Sequence, residues 1–445
     1  MTAAPELVPQ APEVLEPDVV IVGSGFSGLA MAVRLVRSGD ARIDDIVLLE
    51  KDDDLGGTWR DNTYPGCACD VPSNLYSFSF APKPDWSHAF ARQPEILGYL
   101  RDVARRYGVD ERIRYGEEVV EARYDDGRWD VRTARGTRLR PRTLVLGTGA
   151  LHVPTIPDLP GLDSFDGPVF HSARWPEGDD GLDGKRVAVI GTGASAVQIV
   201  PAIAPRTAEL AVFQRTPAWV LPKVDRAFGR LERWLYSVAP AVQRLVRAGV
   251  FWRLESRVLA FVAHPKAMQV AEKVARRHLA RQVSDPDVRA ALTPDYRIGC
   301  KRILLSNDYW ASFDRTDVRL VTDAITQVEP DAVVTGDGRR HEVDAIVLGT
   351  GFRVAEPFRH MAVTGPGGRT FAEEWSQGMQ GYLGVAVAGF PNLFLLQGPN
   401  SGLGHSSQIF TIERQVDYVA GALRLRDRRA ARSVGVDHRV QRGFN

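Results

Sequence analysis

The sequence has little cysteine and no cluster of metal-ligating residues. Its 445 residues include three cysteines, Cys67, Cys69 and Cys300, which are too few for a disulfide framework. No second group of Cys and His has the spacing of a zinc site, so we expect no bound metal. Scarce cysteine without a disulfide framework is typical of a reducing compartment. These absences predict a cytoplasmic protein.

The sequence also lacks a charge imbalance and a long apolar run. The 56 Lys and Arg residues nearly equal the 55 Asp and Glu residues, so no strong field favours a nucleic-acid partner. No apolar run approaches the roughly 18 residues that span a bilayer. The first residues, MTAAPELVPQAPEVLEP, lack the basic start and apolar core of a signal peptide and are typical of a loose tail. We therefore expect a globular protein without membrane association, and the sequence leaves its oligomeric state open.

What the chain does contain is one pattern that occurs twice. The stretches PDVVIVGSGFSGLAMAVRLVRSGDARIDDIVLLEK and KRVAVIGTGASAVQIVPAIAPRTAELAVFQRTP both follow the order strand, glycine-rich turn, helix, strand. A buried strand that turns tightly into a helix is typical of a dinucleotide-binding unit. The repetition predicts an α/β protein with two dinucleotide-binding (Rossmann-like) domains.

The domain boundaries follow from two further buried strands that end in Gly-Thr-Gly. TLVLGTGA near residues 143–150 and AIVLGTGF near residues 345–352 flank the second unit. We interpret them as the exit from the first domain and the return to it. This predicts a discontinuous first domain of residues 15–150 and 345–445 and a second domain of residues 151–344. Amphipathic stretches over residues 226–298 predict a helical insertion in the second domain, either a lid over a cleft or a membrane-surface element, and we favour the lid.

The first glycine-rich loop has the spacing of a pyrophosphate site. Gly23, Gly25 and Gly28 form G-x-G-x-x-G, which allows a tight turn, close backbone approach to phosphate and close helix packing. Glu50 ends the next strand, where a carboxylate can accept hydrogen bonds from both ribose hydroxyls. The loop alone is compatible with either FAD or NAD.

The second loop carries a clue to the nicotinamide cofactor. Gly191, Gly193 and Ala196 form G-x-G-x-x-A, and the following strand ends in Gln214, Arg215 and Thr216 rather than in an acid. An acid would repel a 2′-phosphate, whereas the Arg215 guanidinium offers it a planar set of donors. We therefore predict NADPH, with Arg215 and Thr216 at the cofactor. The alternative is that Arg215 is an exposed surface charge.

Two longer motifs resemble those of a known family. The stretch GGTWRDNTYPGCACD matches G-G-x-W-x-x-x-x-Y-P-G-x-x-x-D, and FDGPVFHSARWP matches F-x-G-x-x-x-H-x-x-x-W-P. Both patterns are similar to those of flavin-dependent Baeyer-Villiger monooxygenases. The matching residues are Gly56, Gly57, Trp59, Tyr64, Pro65, Gly66, Asp70, Phe165, Gly167, His171, Trp175 and Pro176.

The resemblance implies cofactors, reaction and roles. It implies FAD in the first domain, with Trp59 and Tyr64 at the cofactor, and NADPH in the second, with Lys301 as a further phosphate contact. NADPH reduces FAD, the flavin captures dioxygen as a C4a-peroxide, and this attacks an apolar ketone to give an ester or lactone. Arg302 matches the family's catalytic arginine and Asp70 the acid that pairs with it. A purely structural ion pair is the alternative for these two residues.

The second motif lies in the linker between the two predicted domains. Gly167, His171 and Trp175 are therefore expected to act on domain movement, with Gly167 loosening the backbone. His171 either contacts cofactor or bonds backbone across the linker, and we favour the indirect role.

Three functions stay open on the sequence. They are ketone oxygenation, oxygenation of nitrogen or sulfur, and NADPH oxidation by a flavoprotein that transfers no oxygen to a substrate. Asp70, Trp175 and Arg302 favour the first. Members of the resembled family usually continue for some tens of residues beyond VDHRVQRGFN with aromatic loops at the substrate pocket, so this chain does not indicate which ketone is used.

Overall fold

The structure is a computed structural model, which describes residues 14–258, 266 and 268–445. Most of the predicted N-terminal tail, and residues 259–265 and 267 of the predicted insertion, lie outside the described residues. The helices, numbered along the chain, are α1 Phe26–Ser38, α2 Thr58–Asp61, α3 Gln93–Arg106, α4 Ala196–Ile203, α5 Arg230–Val238, α6 Pro240–Val258, α7 Met268–Gln282, α8 Pro286–Ala291, α9 Phe371–Glu374, α10 Gln408–Arg428 and α11 His438–Phe444.

In the described residues, the strands form two parallel five-stranded sheets, one mixed five-stranded sheet and two smaller sheets. Numbered along the chain, they are β1 Val14–Leu15, β2 Val19–Val22, β3 Ile46–Leu49, β4 Ile113–Arg114, β5 Val119–Asp125, β6 Arg128–Thr133, β7 Arg138–Leu139, β8 Thr143–Leu146, β9 Val169–His171, β10 Arg186–Ile190, β11 Glu209–Phe213, β12 Val220–Leu221, β13 Leu304–Leu305, β14 Val318–Val321, β15 Ile325–Glu329, β16 Ala332–Thr335, β17 Arg340–Glu342, β18 Ala345–Leu348, β19 Ala362–Thr364 and β20 Leu393–Leu395.

The first parallel sheet has the order β20-β8-β2-β3-β4. All four residues of β2 are buried, because α1 and the mixed sheet β1-β7-β6-β5-β19 cover opposite faces. Burial on both faces explains why β2 is a continuous apolar run rather than an alternating one. Helix α10 packs beside α1. The first glycine-rich loop therefore lies at the carboxyl end of a central strand, as the sequence predicts.

The second parallel sheet has the order β14-β11-β10-β18-β9. Strand β10 pairs with β11 on one side and with β18 on the other, both in parallel. We expected β18 to return to the first domain at residue 345, and that placement is wrong, because β18 is an interior strand of the second sheet. Its buried run ending in Gly-Thr-Gly has the same appearance as β8, so local sequence could not separate the two sheets.

Part of the predicted linker belongs to the second sheet as well. Strand β9 pairs in parallel with β18 and forms the edge of that sheet. The hairpin sheet β15-β16-β17 precedes β18. The predicted helical insertion is present as α5 to α8, between β12 and β13, which pair with each other at its base.

The two nucleotide-binding units share a hydrophobic core. One continuous cluster of buried residues includes Leu29 and Val145 from the first unit and Val187 and Ile199 from the second. The interface between the units is therefore packed with apolar side chains.

Candidate active site

The first glycine-rich loop connects β2 to α1 and needs glycine at two points. Gly23 has φ +96°, and a Cβ there would lie 2.8 Å from the Gly147 oxygen. A Cβ on Gly28 would lie 1.9 Å from the Gly23 oxygen, because α1 starts directly against the turn. Gly25, by contrast, has no neighbour closer than 3.8 Å, so its outward side is open. The open backbone at the N-terminus of α1 is what a pyrophosphate requires.

Glu50 stands at the end of β3, beside this loop. Its Oε2 accepts hydrogen bonds from the Ser24 amide at 2.9 Å and the Ser24 hydroxyl at 2.7 Å. Arg60, which the sequence analysis did not identify, approaches Oε1 at 3.4 Å and also pairs with Asp52 and Asp61. Glu50 is buried, and these contacts fix its carboxylate at the edge of the cavity described next.

A cavity of about 480 Å³ joins these features. Its lining begins at the loop Val22–Ser27 and Glu50, continues along the first motif and ends at α10. An amide-rich helix start beside a fixed carboxylate suits the pyrophosphate and ribose of a dinucleotide, and aromatic side chains continue the cavity beyond them. The residues therefore fit FAD. Other lining residues include Gly56, Gly57, Trp59, Arg60, Tyr76, Thr148, His152, Arg174, Phe358, Met361, Gln397, Gln408, Ile409 and Ile412.

Trp59, which we predicted at the cofactor, lines this cavity together with Tyr76, a residue that the sequence did not point to. The Trp59 indole Nε1 donates to the Tyr76 hydroxyl at 3.0 Å. Burial raises the pKa of Tyr76 well above its ordinary value, and Asp70 raises it further while Arg302 lowers it. Tyr76 thus stays a neutral phenol between the cavity and these two charged residues. The only feature of the sequence that marks Tyr76 is its position in NLYSFSF, six residues after Asp70.

Arg302 and Asp70 form an ion pair between the two units. The Arg302 Nη2 donates to the Asp70 Oδ2 at 2.5 Å, across 232 residues of sequence. Attraction to Asp70 raises the pKa of Arg302, so the guanidinium stays charged. The Arg302 side chain is 56% exposed and that of Asp70 27%. The pair is therefore partly exposed to solvent, unlike the buried structural pair that was the alternative.

Tyr64 lies at a contact between the two units, away from the flavin cavity. It does not line the cavity of the first loop, and its hydroxyl contacts the Gln198 Oε1 of α4 at 3.2 Å. Gln198 also donates to the Ala68 oxygen at 3.0 Å. A Cβ on Gly66 would lie 2.7 Å from the Gln198 backbone oxygen. The structure thus gives Tyr64 a contact between the two units where we predicted a contact with cofactor.

The second loop repeats the geometry of the first. Gly191 has φ +116°, and a Cβ there would lie 2.4 Å from the Gly349 oxygen, whereas Gly193 has no neighbour closer than 4.0 Å. The Thr192 hydroxyl donates to the Thr216 oxygen at 2.9 Å, which ties the loop to the end of β11. The loop and the following helix α4 therefore fit a second dinucleotide, here the nicotinamide cofactor.

Two basic side chains flank this second site. Arg215 is exposed just beyond β11, and Lys301 is exposed with its Nζ 4.8 Å from the centroid of the Tyr296 ring. The Tyr296 hydroxyl donates to the Pro217 oxygen at 3.0 Å, which brings the Lys301 segment close to the Arg215 segment. The structure thus places both predicted phosphate contacts on the same side of the second unit.

The linker motif is held by specific contacts. His171 is buried, its Nδ1 accepts from the Ala173 amide at 3.1 Å, and its Nε2 donates to the Gly351 oxygen at 3.0 Å. The Trp175 indole donates to Asp180 at 3.1 Å. A Cβ on Gly167 would lie 2.2 Å from the Asp344 oxygen. The glycine is required for close packing, so our reason for it, a loosened backbone, is wrong at this residue.

Comparison with known proteins assigns the chain to a family. The family model described as flavin-binding monooxygenase-like matches residues 16–365. The chain belongs to this family.

Within the flavin-binding monooxygenase-like family, two similar relatives are named Baeyer-Villiger monooxygenase. The relative from Pseudomonas aeruginosa is 46% identical over 429 residues, which cover 96% of this chain and 81% of the relative. The relative from Streptomyces coelicolor is 50% identical over 409 residues, which cover 91% of this chain and 78% of the relative. A solved structure of a steroid monooxygenase bound to NADP superposes with a TM-score of 0.87 at 33% identity, covering 97% of this chain and 90% of that chain.

These comparisons confirm the identification as a flavin-dependent Baeyer-Villiger monooxygenase. They also confirm the two-domain Rossmann-like fold and the cofactors FAD and NADPH. The domain boundaries other than the placement of β18, and the roles of the individual site residues, stay predictions.

Proposed function

We propose that this protein converts apolar ketones to esters or lactones, with Arg302 as its catalytic residue and Asp70 as the residue that positions Arg302. The overall reaction consumes one ketone, one dioxygen, one NADPH and one proton, and yields one ester, one NADP⁺ and one water. When bound, FAD supplies the redox chemistry that takes electrons from NADPH and activates dioxygen. The observation that carries the assignment is the ion pair of Arg302 and Asp70, whose charges both reach Tyr76, a residue that lines the flavin cavity.

Stability alone gives little reason for this ion pair. A pair with such exposed side chains contributes only about 0–1 kcal/mol to folding. A guanidinium held beside a reaction site, however, favours negative charge that develops on oxygen there, by about 3–4 kcal/mol for a well-placed donor. Because attraction to Asp70 keeps Arg302 charged, the cation is available throughout the physiological pH range.

Asp70 acts in this proposal by orienting Arg302. Asp70 follows Cys69, whose amide donates to the Ala91 oxygen at 2.9 Å, so the carboxylate belongs to a backbone fixed in the first unit. Arg302 precedes β13 in the second unit. The pair therefore places a cation of the nicotinamide unit beside the flavin unit, and any change in the angle between the units moves that cation.

The cavity and the cysteines support two finer proposals. Phe358, Met361, Ile409 and Ile412 line the cavity that fits FAD, so the protein surface around the flavin is apolar, which favours an apolar ketone over a charged one. All three cysteines of the chain lie in its described part, and all three are free thiols. Free thiols fit a reducing environment, so we place the protein in the cytoplasm.

The test replaces Arg302 by Ala and by Lys in the FAD-loaded protein. Arg302→Ala should keep its FAD and its reduction by NADPH, because neither requires negative charge on oxygen, but should lose ester formation about a hundredfold or more. NADPH should then be consumed with release of hydrogen peroxide. Arg302→Lys keeps the charge but not the planar donor pair, so its rate of ester formation should lie between those of the parent and Arg302→Ala.

The matched control is Arg297→Ala, which removes an exposed arginine five residues away and should leave the ester yield unchanged. Asp70→Asn should reduce ester formation less than Arg302→Ala does, because the cation remains. Ester formation by Arg302→Ala at near the parental rate would remove Arg302 from the catalytic residues.

A further inference from the structure

Helices α5 and α6 expose an unusual number of large apolar side chains. Six of them form what we call the outer face: Leu231 (75% exposed), Trp234 (57%), Leu235 (36%), Val238 (57%), Leu245 (73%) and Trp252 (68%). On α5 they follow the spacing i, i+3, i+4, i+7, and on α6 Leu245 and Trp252 are seven residues apart. This spacing places each set on one side of its helix.

The apolar sides of α5 and α6 both face away from the body of the protein. Opposite the outer face, Gln243 of α6 is buried and donates to the Asn74 Oδ1 at 3.1 Å, and the Tyr236 side chain of α5 is buried, with its ring centroid 6.3 Å from that of Phe228. Arg247 Nη1 donates to the Ser77 oxygen at 2.8 Å. Because both inner sides are buried and the helices contact each other, their outer sides form one surface.

The charges around the outer face are positive. Arg230, Arg244 and Arg253 are exposed, and in the part of the chain that the structure describes none of them forms an ion pair. The acids of the two helices are already engaged. Glu232 pairs with Arg226 at 2.8 Å, and Glu255 with the His405 Nε2 at 3.2 Å.

Asp85, which lies near Arg233, is likewise engaged, since it pairs with Lys83 at 2.8 Å. The surface therefore combines exposed tryptophan and leucine with arginines that have no acidic partner. Two copies of this surface packed against each other would bring these arginines together, which opposes self-association.

We propose that the outer face docks onto the surface of an anionic lipid bilayer. Apolar and aromatic side chains of an amphipathic helix enter the interface between headgroups and acyl chains, while arginines bind the anionic headgroups. No helix among the described residues has the length and apolar character to cross a membrane. The helices therefore lie on the bilayer. This inference reverses our expectation from the sequence that membrane association is absent.

Docking would also place the flavin cavity near the bilayer. The inner side of α6 packs Phe251 against Phe410 of α10, with ring centroids 5.0 Å apart. Ile409 and Ile412 of the same helix line the cavity. Apolar ketones partition into membranes, so a docked enzyme meets them at raised concentration; this consequence, unlike the docking itself, rests on the proposed function.

Co-sedimentation of the FAD-loaded protein with vesicles tests the proposal. The vesicles are phosphatidylcholine alone or phosphatidylcholine mixed with phosphatidylglycerol, at low and high salt. We expect binding to the anionic vesicles that weakens with salt. Trp234→Ser/Trp252→Ser and, separately, Arg244→Gln/Arg253→Gln should each lower the partition coefficient about tenfold or more. Brominated lipid should quench the tryptophan fluorescence of the parent protein. In Trp234→Ser/Trp252→Ser, the fluorescence of the remaining tryptophans should show only background quenching.

Matched controls come from exposed residues outside the outer face. Ile156→Ser/Val354→Ser removes two apolar side chains that are 50% and 52% exposed, and Arg439→Gln/Arg442→Gln removes two exposed arginines. Neither should change vesicle binding. The arginine variants keep the fold because these side chains have no partners in the described structure, and FAD content verifies this for every variant.

Three results would overturn the proposal. They are no sedimentation with either vesicle, equal sedimentation with neutral and anionic vesicles, and a homodimer in solution that Trp234→Ser/Trp252→Ser dissociates without any vesicle binding. The last result would assign the outer face to a second copy of the chain. None depends on enzymatic activity, so the docking proposal can fail while the proposed reaction stands.

Discussion

Arg302 and Asp70 meet in space although 232 residues separate them in the chain. No local pattern in the sequence pairs one arginine with one acid at that separation, and only the match to a family motif suggested it. The contact itself comes from the second unit folding against the first. Tyr76 was missed for the same reason, because a tyrosine in a loop shows no sign that it will lie between a cavity and an ion pair.

Arg215 offers a test at the level of a single side chain. Its guanidinium is exposed, and among the described residues it forms no ion pair, so NADPH should be strongly preferred to NADH. Arg215→Ala should reduce that preference by roughly ten- to a hundredfold, the value of one lost charged hydrogen bond. Stopped-flow rates of flavin reduction by NADPH and by NADH measure this preference. Calorimetric binding of 2′,5′-ADP provides a readout independent of activity.

Lys301→Ala is the companion to this test and should also weaken binding of 2′,5′-ADP, since Lys301 lies on the same side of the second unit. Equal use of NADH and NADPH by the unmodified protein would refute the assignment of Arg215.

At the scale of elements, the positions of both glycine-rich loops were predicted correctly, because a tight turn from strand to helix has a short, fixed spacing of glycines. A tight turn from strand to helix needs glycine wherever backbone approaches backbone, and a spacing of a few residues encodes this. Pairing between strands is not local. Strand β18 carries the same buried run as β8, yet it lies in the other sheet, because its partner β10 is about 155 residues earlier in the chain.

The second loop allows a matched pair of substitutions. Gly191→Ala places a Cβ 2.4 Å from the Gly349 oxygen at φ +116°, so the loop must move and the melting temperature should fall. Gly193→Ala meets nothing closer than 4.0 Å and should fold normally, while its methyl group blocks backbone approach to the pyrophosphate.

Melting curves and NADP⁺ titration distinguish the two variants. Gly193→Ala should bind NADP⁺ at least about tenfold more weakly at an unchanged melting temperature. Unchanged NADP⁺ affinity in Gly193→Ala would show that the loop does not approach the cofactor there.

The linker strand β9 links stability to pH through His171. Burial lowers the pKa of His171 below its ordinary 6.5, and its Nδ1 must be unprotonated to accept from the Ala173 amide. The unfolded chain therefore binds more protons below pH 6.5, so stability decreases as pH falls through that range. His171→Asn cannot be protonated and should make the decrease between about pH 6.5 and 5 shallower.

Denaturant unfolding at several pH values measures this slope. An unchanged slope in His171→Asn would mean that His171 is not kept neutral by the fold. His152 and His341 also have lowered pKa values, so the slope should decrease without disappearing.

At the scale of the whole molecule, the two-unit architecture followed from a repeated sequence pattern, but the way the units meet did not. Tyr64, Gly66 and Gln198 form a contact in which the first motif packs against the start of the second unit. The motif is thus long because it serves the flavin cavity, the ion pair and the packing between units together. Only the three-dimensional structure shows which residue of the motif serves which of these three roles.

The most direct test of the central claim follows the oxygen atom. FAD-loaded protein is incubated with NADPH, oxygen-18 gas and a panel of cyclic and aryl ketones, and the products are identified by mass spectrometry. The account predicts an ester or lactone that carries one labelled oxygen, formed with consumption of one NADPH. NADPH consumption that yields only labelled hydrogen peroxide across the panel, or labelled oxygen only on nitrogen or sulfur compounds offered in parallel, would contradict it.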